Sequence, residues 1–172
     1  ELRDLGAKTF RGDLADREAL DKAFEGQDAV IHTAAQAGVW GKRADFVRSN
    51  VRATENVLDA CRANGVNRLV FTSSPSVTFD GTDAENAGND LPYPDKFLAH
   101  YPETKAQAEK MVLAANSADL MTTSLRPHLI WGPRDPHLIP RVVEKARGGQ
   151  LKIVGDGKNV VDITYVENAA VA

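Results

Sequence analysis

Apolar residues along this chain fall into runs of two kinds. Ala29-Val30-Ile31-His32-Thr33-Ala34-Ala35 and Arg68-Leu69-Val70-Phe71-Thr72-Ser73-Ser74 are continuous and of strand length, as expected for strands buried on both faces of a parallel sheet. Met121 to Leu125 reads as another strand. Between the first two runs, Phe46, Val47, Val51, Val57, Leu58 and Cys61 recur at helical spacing over Asp45 to Ala63, and Asn64-Gly65 supplies the stop. A second helix is expected from Pro102, a good first-turn residue, through Lys105, Ala108, Met111, Val112 and Leu113.

The flanks continue the alternation. Ala7 to Gly12 predicts a short strand, followed by a helix from Asp16 to Phe24 that Asp16 caps and Gly26 closes. Beyond Leu125, Pro136 to Arg147 predicts a helix, and Leu151 to Val154 and Val161 to Tyr165 predict short strands around Gly155-Asp156-Gly157. A last helix begins near Val166. Pro75 to His100, rich in Gly, Asp, Asn and Pro, reads as a long surface loop of the kind kept for function. Strand and helix in regular alternation predict an α/β fold whose ligands bind beyond the carboxyl ends of the strands.

Length and charge narrow the function classes. At 172 residues the chain suffices for one domain, or part of one. Lys+Arg of 21 against Asp+Glu of 24 leaves a net charge of -3, too near balance to favour nucleic acid as a partner. No apolar stretch approaches the roughly 20 residues of a membrane span. Cys61 is the single cysteine, which fits a packed residue and a reducing, cytoplasmic setting. The chain opens on Glu1 without Met, so it reads as an excerpt.

Three features carry candidate chemistry. Tyr101 and Lys105, four apart near a helix start, share a helical face, where an ammonium favours the phenolate of a tyrosine; a solvated surface pair has the same spacing. Ser74 ends a strand where a hydroxyl can bond a substrate oxygen while Tyr101 moves the proton, although Ser73 and Ser74 can equally open the turn before Pro75. The small residues Thr33-Ala34-Ala35 allow a flat cofactor to lie against backbone, or a helix to pack there. Asp13 can accept from an adenine amino group, or simply serve its Gly-Asp turn. His32, His100, His128 and His137 lack the spacing of metal ligands, so no metal is expected. His137, Arg134 and Arg141 can meet a substrate carboxylate or form a solvated helix face.

Taken in order, these segments resemble the extended short-chain dehydrogenases. The resemblance rests on Gly12-Asp13-Leu14, His32-Thr33-Ala34-Ala35, Asn50 to Val57, Thr72-Ser73-Ser74, Tyr101-Pro102-Glu103-Thr104-Lys105 and Leu125 to Pro133, and it spans essentially the whole chain. The Ser73 to Val77 stretch, Arg126 to Pro133 and Gly155 to Asp162 look most like the 3β-hydroxysteroid dehydrogenase branch, which includes sterol-4-carboxylate dehydrogenases and 2-alkyl-3-ketoalkanoate reductases. The resemblance implies a Rossmann-type doubly wound parallel sheet and an oxidoreductase using NAD or NADP. It implies Tyr101 as acid/base, Lys105 on the nicotinamide ribose lowering the tyrosine pKa, and Ser74 orienting the substrate oxygen. Asp13 and Leu14 would flank adenine, Ala34 and Ala35 would line the cofactor, Asn50 would sit beneath it, and His128 would lie beside the nicotinamide. A homodimer through the helices at Asp45 and Pro102 is implied as well.

One part of the family pattern is absent: the Gly-rich turn that seats a pyrophosphate between a first strand and helix. Residues 1–172 are therefore expected to be a partial NAD(P)-binding domain, without its first strand-helix-strand unit, plus the start of a carboxyl-terminal substrate-binding part. The substrate class implied is a small molecule: a 3β-hydroxysteroid, a sterol carboxylate or a 3-keto acid. Sugar-nucleotide epimerases and dehydratases share the same Tyr, Lys and Ser, but dehydratases usually carry an acidic pair where this chain has Pro75 and Ser76. A cofactor-sensing protein without catalysis is the alternative from another class.

Overall fold

The structure, a computed structural model, describes residues 2–172 with the exception of His137 and Val154. It comprises two compact units, Glu1–Leu125 and Arg126–Ala172.

The first unit is built on a parallel three-stranded sheet. Strands β1 (Ala29–His32), β2 (Arg68–Thr72) and β3 (Met121–Leu125) lie in the order β1-β2-β3, with Val30 opposite Leu69 and Val70 opposite Thr123. Each step between parallel neighbours needs a crossover, and helices supply it. The first runs through α2 (Arg43–Phe46), a π-helical stretch (Val47–Arg52) and α3 (Ala53–Ala63). The second runs through a 3-10 turn (Pro75–Thr78), the predicted loop and α4 (His100–Ala114). Before β1, helix α1 (Arg17–Phe24) begins where the Asp16 carboxylate accepts the Ala19 N–H, the cap foreseen in the sequence.

Helices α1, α3 and α4 bury their apolar stripes against one face of this sheet. Leu20, Val57, Leu58, Cys61, Leu69, Phe71, Ala108, Val112 and Leu120 form the core, each fully buried side chain of Leu or Phe size contributing ~1.5–3 kcal/mol. Cys61 sits inside it, and burial pushes its thiol up to about 11, which makes it a packing residue. The other face is open among the described residues: Ile31 is 70% exposed and Met121 51%. Burial on both faces, expected for β1 and β2, is thus corrected to burial mainly on one: alternate side chains point away from the helices, leaving Ile31 exposed and Val70 only half-buried.

Two further expectations change. Ala7 to Gly12 forms no strand, since no described strand lies beside it to pair with its backbone, and its side chains are exposed. The helix foreseen from Asp45 to Ala63 begins at Arg43 and loosens into the π-helical stretch at Val47–Arg52.

In the second unit, β4 (Ile130–Trp131) pairs in parallel with β5 (Thr164–Tyr165), and helices α5 (Leu138–Arg147) and α6 (Val166–Val171) complete it. Asp135 caps α5 by accepting the N–H groups of Leu138 and Ile139. Gly132 adopts φ +142 where a Cβ would meet Val166 Cγ1 at 2.7 Å, so close packing against β5 and α6 demands glycine here. Of the two strands foreseen around Gly155-Asp156-Gly157, residues 151–153 form none and Val154 lies outside the described residues. The second shortens to β5, because its partner β4 is only two residues long.

Candidate active site

In a parallel sheet with helical crossovers, the carboxyl ends of the strands and the amino ends of the following helices meet at one edge. Here that edge gathers Thr33-Ala34-Ala35 after β1, Ser73-Ser74 after β2 and Tyr101 in the first turn of α4. Pro75 opens the 3-10 turn, whose N-cap Ser74 accepts the Ser76 N–H at 3.3 Å and shares a 2.8 Å hydrogen bond with the Ser76 hydroxyl. Ser74 is therefore the turn residue, and it lies at the same edge as Tyr101.

The Ser74 hydroxyl lies within interaction range of the Tyr101 phenol. Burial raises the phenol's pKa above the usual tyrosine value, and the hydrogen bond from Ser74 opposes that rise. The net direction is opposite to the lowering expected from Lys105, and geometry gives the reason. Lys105 is 2% exposed, donates to the Thr72 carbonyl at 2.6 Å and stands 4.0 Å from the centre of the Phe71 ring. Its ammonium is turned toward the end of β2. Burial lowers its own pKa to about 8, with Glu109 working in the other direction.

Asn50 is fully used within the protein. Its Oδ1 accepts the Gln36 N–H at 2.7 Å, while Nδ2 donates to Gln36 O at 3.1 Å and to Thr104 Oγ1 at 3.0 Å. Thr104 in turn donates to the carbonyls of His100 and Tyr101. The π-helical stretch thus aims one amide at both the loop after β1 and the first turn of α4. Asn50 reaches the site by holding its walls.

The Thr54 hydroxyl gives its one proton to Asn50 O at 2.7 Å, so the 3.0 Å contact with His32 Nε2 makes the histidine the donor. Burial, and then Lys105, lower the His32 pKa to about 4, which keeps the ring neutral. It also tilts against Phe71 at 5.4 Å between centroids.

The remaining sequence candidates separate. Ala34 and Ala35 are exposed at the edge, as a surface for a flat ligand requires. Asp13 accepts the Ala15 N–H at 2.9 Å and pairs with Arg48, and the Leu14 carbonyl accepts from Asn56. His128 belongs to the second unit, just before β4, as do Arg134 and Arg141; His137 lies outside the described residues. The sequence reading did not single out Thr104, Gln36 or Glu109; a carboxylate four residues after Lys105 on a buried helix face was the available signal for the last.

Ser73 Oγ is buried at the carboxyl end of β2 with no hydrogen-bond partner among the described residues. A buried hydroxyl without a partner is costly, so this orphan beside Ser74 suits an edge that receives a polar ligand. Together with the small, exposed Thr33-Ala34-Ala35, it fits a dinucleotide lying across the strand ends. Among the described residues no group of three metal-ligating side chains gathers, and no helix is long and apolar enough to cross a membrane.

A model of the 3-beta hydroxysteroid dehydrogenase/isomerase family matches residues 1–172, the whole chain. The chain belongs to that family. It is 53% identical to a 2-alkyl-3-oxoalkanoate reductase of Stenotrophomonas maltophilia over 100% of its own length and 53% of that protein's. It is 44% identical to the human sterol-4-alpha-carboxylate 3-dehydrogenase, decarboxylating, over 92% of its length and 43% of the relative's. The chain thus spans about half the length of the curated relatives it matches. Among solved structures, the UDP-glucuronic acid 4-epimerase of Bacillus cereus in complex with NAD superposes with a TM-score of 0.80 at 25% identity, covering 98% of this chain and 56% of that one. The fold is accordingly the Rossmann-like α/β type that the sequence pattern indicates.

Proposed function

We propose that this chain forms the cofactor floor and proton-transfer site of an NAD(P)-dependent oxidoreductase that interconverts a ketone and a secondary alcohol. Its substrate is a 3-keto acid with a 2-alkyl chain, in preference to a 3β-hydroxysteroid or a sterol carboxylate. The observation that carries the proposal is that Tyr101 and Ser74 share the carboxyl edge of a parallel sheet, with Tyr101 one helical turn before the buried Lys105. The name and 53% identity of the bacterial reductase support the keto acid over the sterol.

A phenol whose pKa is raised keeps its proton at neutral pH. Tyr101 is therefore set to donate that proton to a carbonyl oxygen, the step needed for reduction. Ser74 orients the same oxygen. A bound NAD(P)H supplies the hydride to the carbonyl carbon, so that carbon and oxygen each gain one hydrogen and a secondary alcohol results. Lys105, with one N–H committed to Thr72 O, keeps two for the nicotinamide ribose. Asp13, Leu14, Ala34, Ala35 and His128 are the proposed cofactor contacts, and Asn50 serves by fixing Gln36 and Thr104. Cytoplasmic placement and a homodimer through the helices at Asp45 and Pro102 belong to the same proposal.

A sugar-nucleotide epimerase is the second reading, favoured by the likeness to the Bacillus cereus structure. The test offers NADH and NADPH to the intact protein with a 2-alkyl-3-keto acid, a 3-ketosteroid and a UDP-sugar, following nicotinamide absorbance. Net oxidation with the keto acid supports the proposal. Conversion of the UDP-sugar, with no net cofactor change on either ketone, moves the protein to the epimerases.

A further inference from the structure

Glu109 is 0% exposed and lies one helical turn beyond Lys105 on α4. Nothing in the proton transfer described above uses it. A carboxylate taken wholly out of water is expensive unless charge and hydrogen bonds compensate it. Donors that reach it from outside its helix include the Tyr93 hydroxyl at 2.7 Å, from the loop that leads into α4, and the Ser124 hydroxyl at 3.0 Å, from β3. The Lys110 ammonium stands 4.4 Å from the centre of the same Tyr93 ring, on its way to solvent. The carboxylate is thus aimed inward and held on both sides.

Lys105 has the complementary problem. It is a buried ammonium whose hydrogen-bond acceptor is a single neutral carbonyl, Thr72 O, and whose nearest ring is Phe71. Burial pulls its pKa down and Glu109 from its own helix pulls it up, while His32 from β1 is kept neutral and β2 presents Phe71 and Thr72. Tyr101, one turn back, is neutral as well. Glu109 is the one anion in that set.

We propose that Glu109 is a positioning residue of the active centre, held by Tyr93 and Ser124 as the buried counter-charge that keeps Lys105 an ammonium beside the cofactor edge. The inference deepens the oxidoreductase function proposed above and rests on it for its catalytic meaning. Without the anion, the pKa of a buried lysine near 8 falls into the neutral range, and the cation offered to the ribose is lost in part of the molecules.

Three variants of the intact protein test this: Glu109→Gln, which removes the charge at nearly constant shape, Glu109→Asp, which restores it, and Lys105→Met. The side chain of Lys105 is followed by carbon NMR of labelled lysine, with Lys105→Met assigning the resonance. In Glu109→Gln the Lys105 midpoint is expected to fall by about one pH unit or more, a tenfold change in the equilibrium. Glu109→Asp is expected to restore most of it, and NADH binding followed by fluorescence shifts its alkaline limb in parallel. An unchanged Lys105 midpoint in Glu109→Gln overturns the proposal.

If Glu109→Gln folds too poorly to titrate, melting temperatures decide instead. Removing both charges in the Glu109→Gln, Lys105→Met double variant is expected to melt higher than Glu109→Gln alone, since no ammonium is then left unpaired. Additive losses overturn the counter-charge. A shifted Lys105 midpoint in a protein that turns over no ketone leaves Glu109 in this role and removes the oxidoreductase function instead.

Discussion

Asn50 and Thr104 are joined by a 3.0 Å hydrogen bond that links the loop after β1 to the first turn of the helix carrying Tyr101. Because Asn50 also exchanges two hydrogen bonds with the backbone of Gln36, one buried amide sets the spacing of two walls of the site. Thr104→Val keeps the shape and leaves an Asn50 N–H without its acceptor, so a loss of about 1–3 kcal/mol in urea unfolding is expected. Thr104→Ser should recover most of it. Equal stabilities of the Val and Ser variants would show that the link carries no weight.

His32 gives the fold an acid-sensitive point. Its folded-state pKa, about 4, lies below the unfolded value of 6.5, so between those pH values the unfolded chain binds the extra proton. Stability is therefore expected to fall as pH drops from 6.5 toward 4, by on the order of 3 kcal/mol from this group, with the loss complete below 4. His32→Gln should flatten that part of the curve when unfolding is measured at pH 4.5 and 7. An undiminished slope would assign acid sensitivity to other groups.

In the second unit, Gly132→Ala places a methyl group 2.7 Å from Val166 Cγ1 and 3.0 Å from Tyr165 Cε2, in a backbone conformation unfavourable to L side chains. A cost of roughly 1–3 kcal/mol is expected. The Trp131 ring, 5.2 Å from Tyr165 between centroids, should report it as a change in near-ultraviolet circular dichroism. An unaltered spectrum and melting point would mean that α6 yields at little expense.

Much of this architecture was legible in the chain, for physical reasons that also mark where it was not. The runs at Ala29 and Arg68 and the spacing from Phe46 to Cys61 reported strands and helices because burial dictates both periods. Ala7 to Gly12 misled, since strand character is realised only beside a partner and none of the described strands pairs with it. The two residues of β4 were too few to show a period. At the candidate site, Tyr101, Lys105 and Ser74 stood out as candidate chemistry in a familiar order. The π-helical aim of Asn50, the inward turn of Lys105 and the burial of Glu109 depend on tertiary packing, which no local pattern encodes.

The central claim is that Tyr101 gives its proton to a carbonyl oxygen while Ser74 holds that oxygen. Its most direct test is Tyr101→Phe in the intact protein, with NAD(P)H oxidation measured on the 2-alkyl-3-keto acid and cofactor binding measured separately by fluorescence. A fall in kcat of about 10²–10⁴-fold, with cofactor binding retained, is the expected result. Turnover equal to that of the unaltered protein would contradict it.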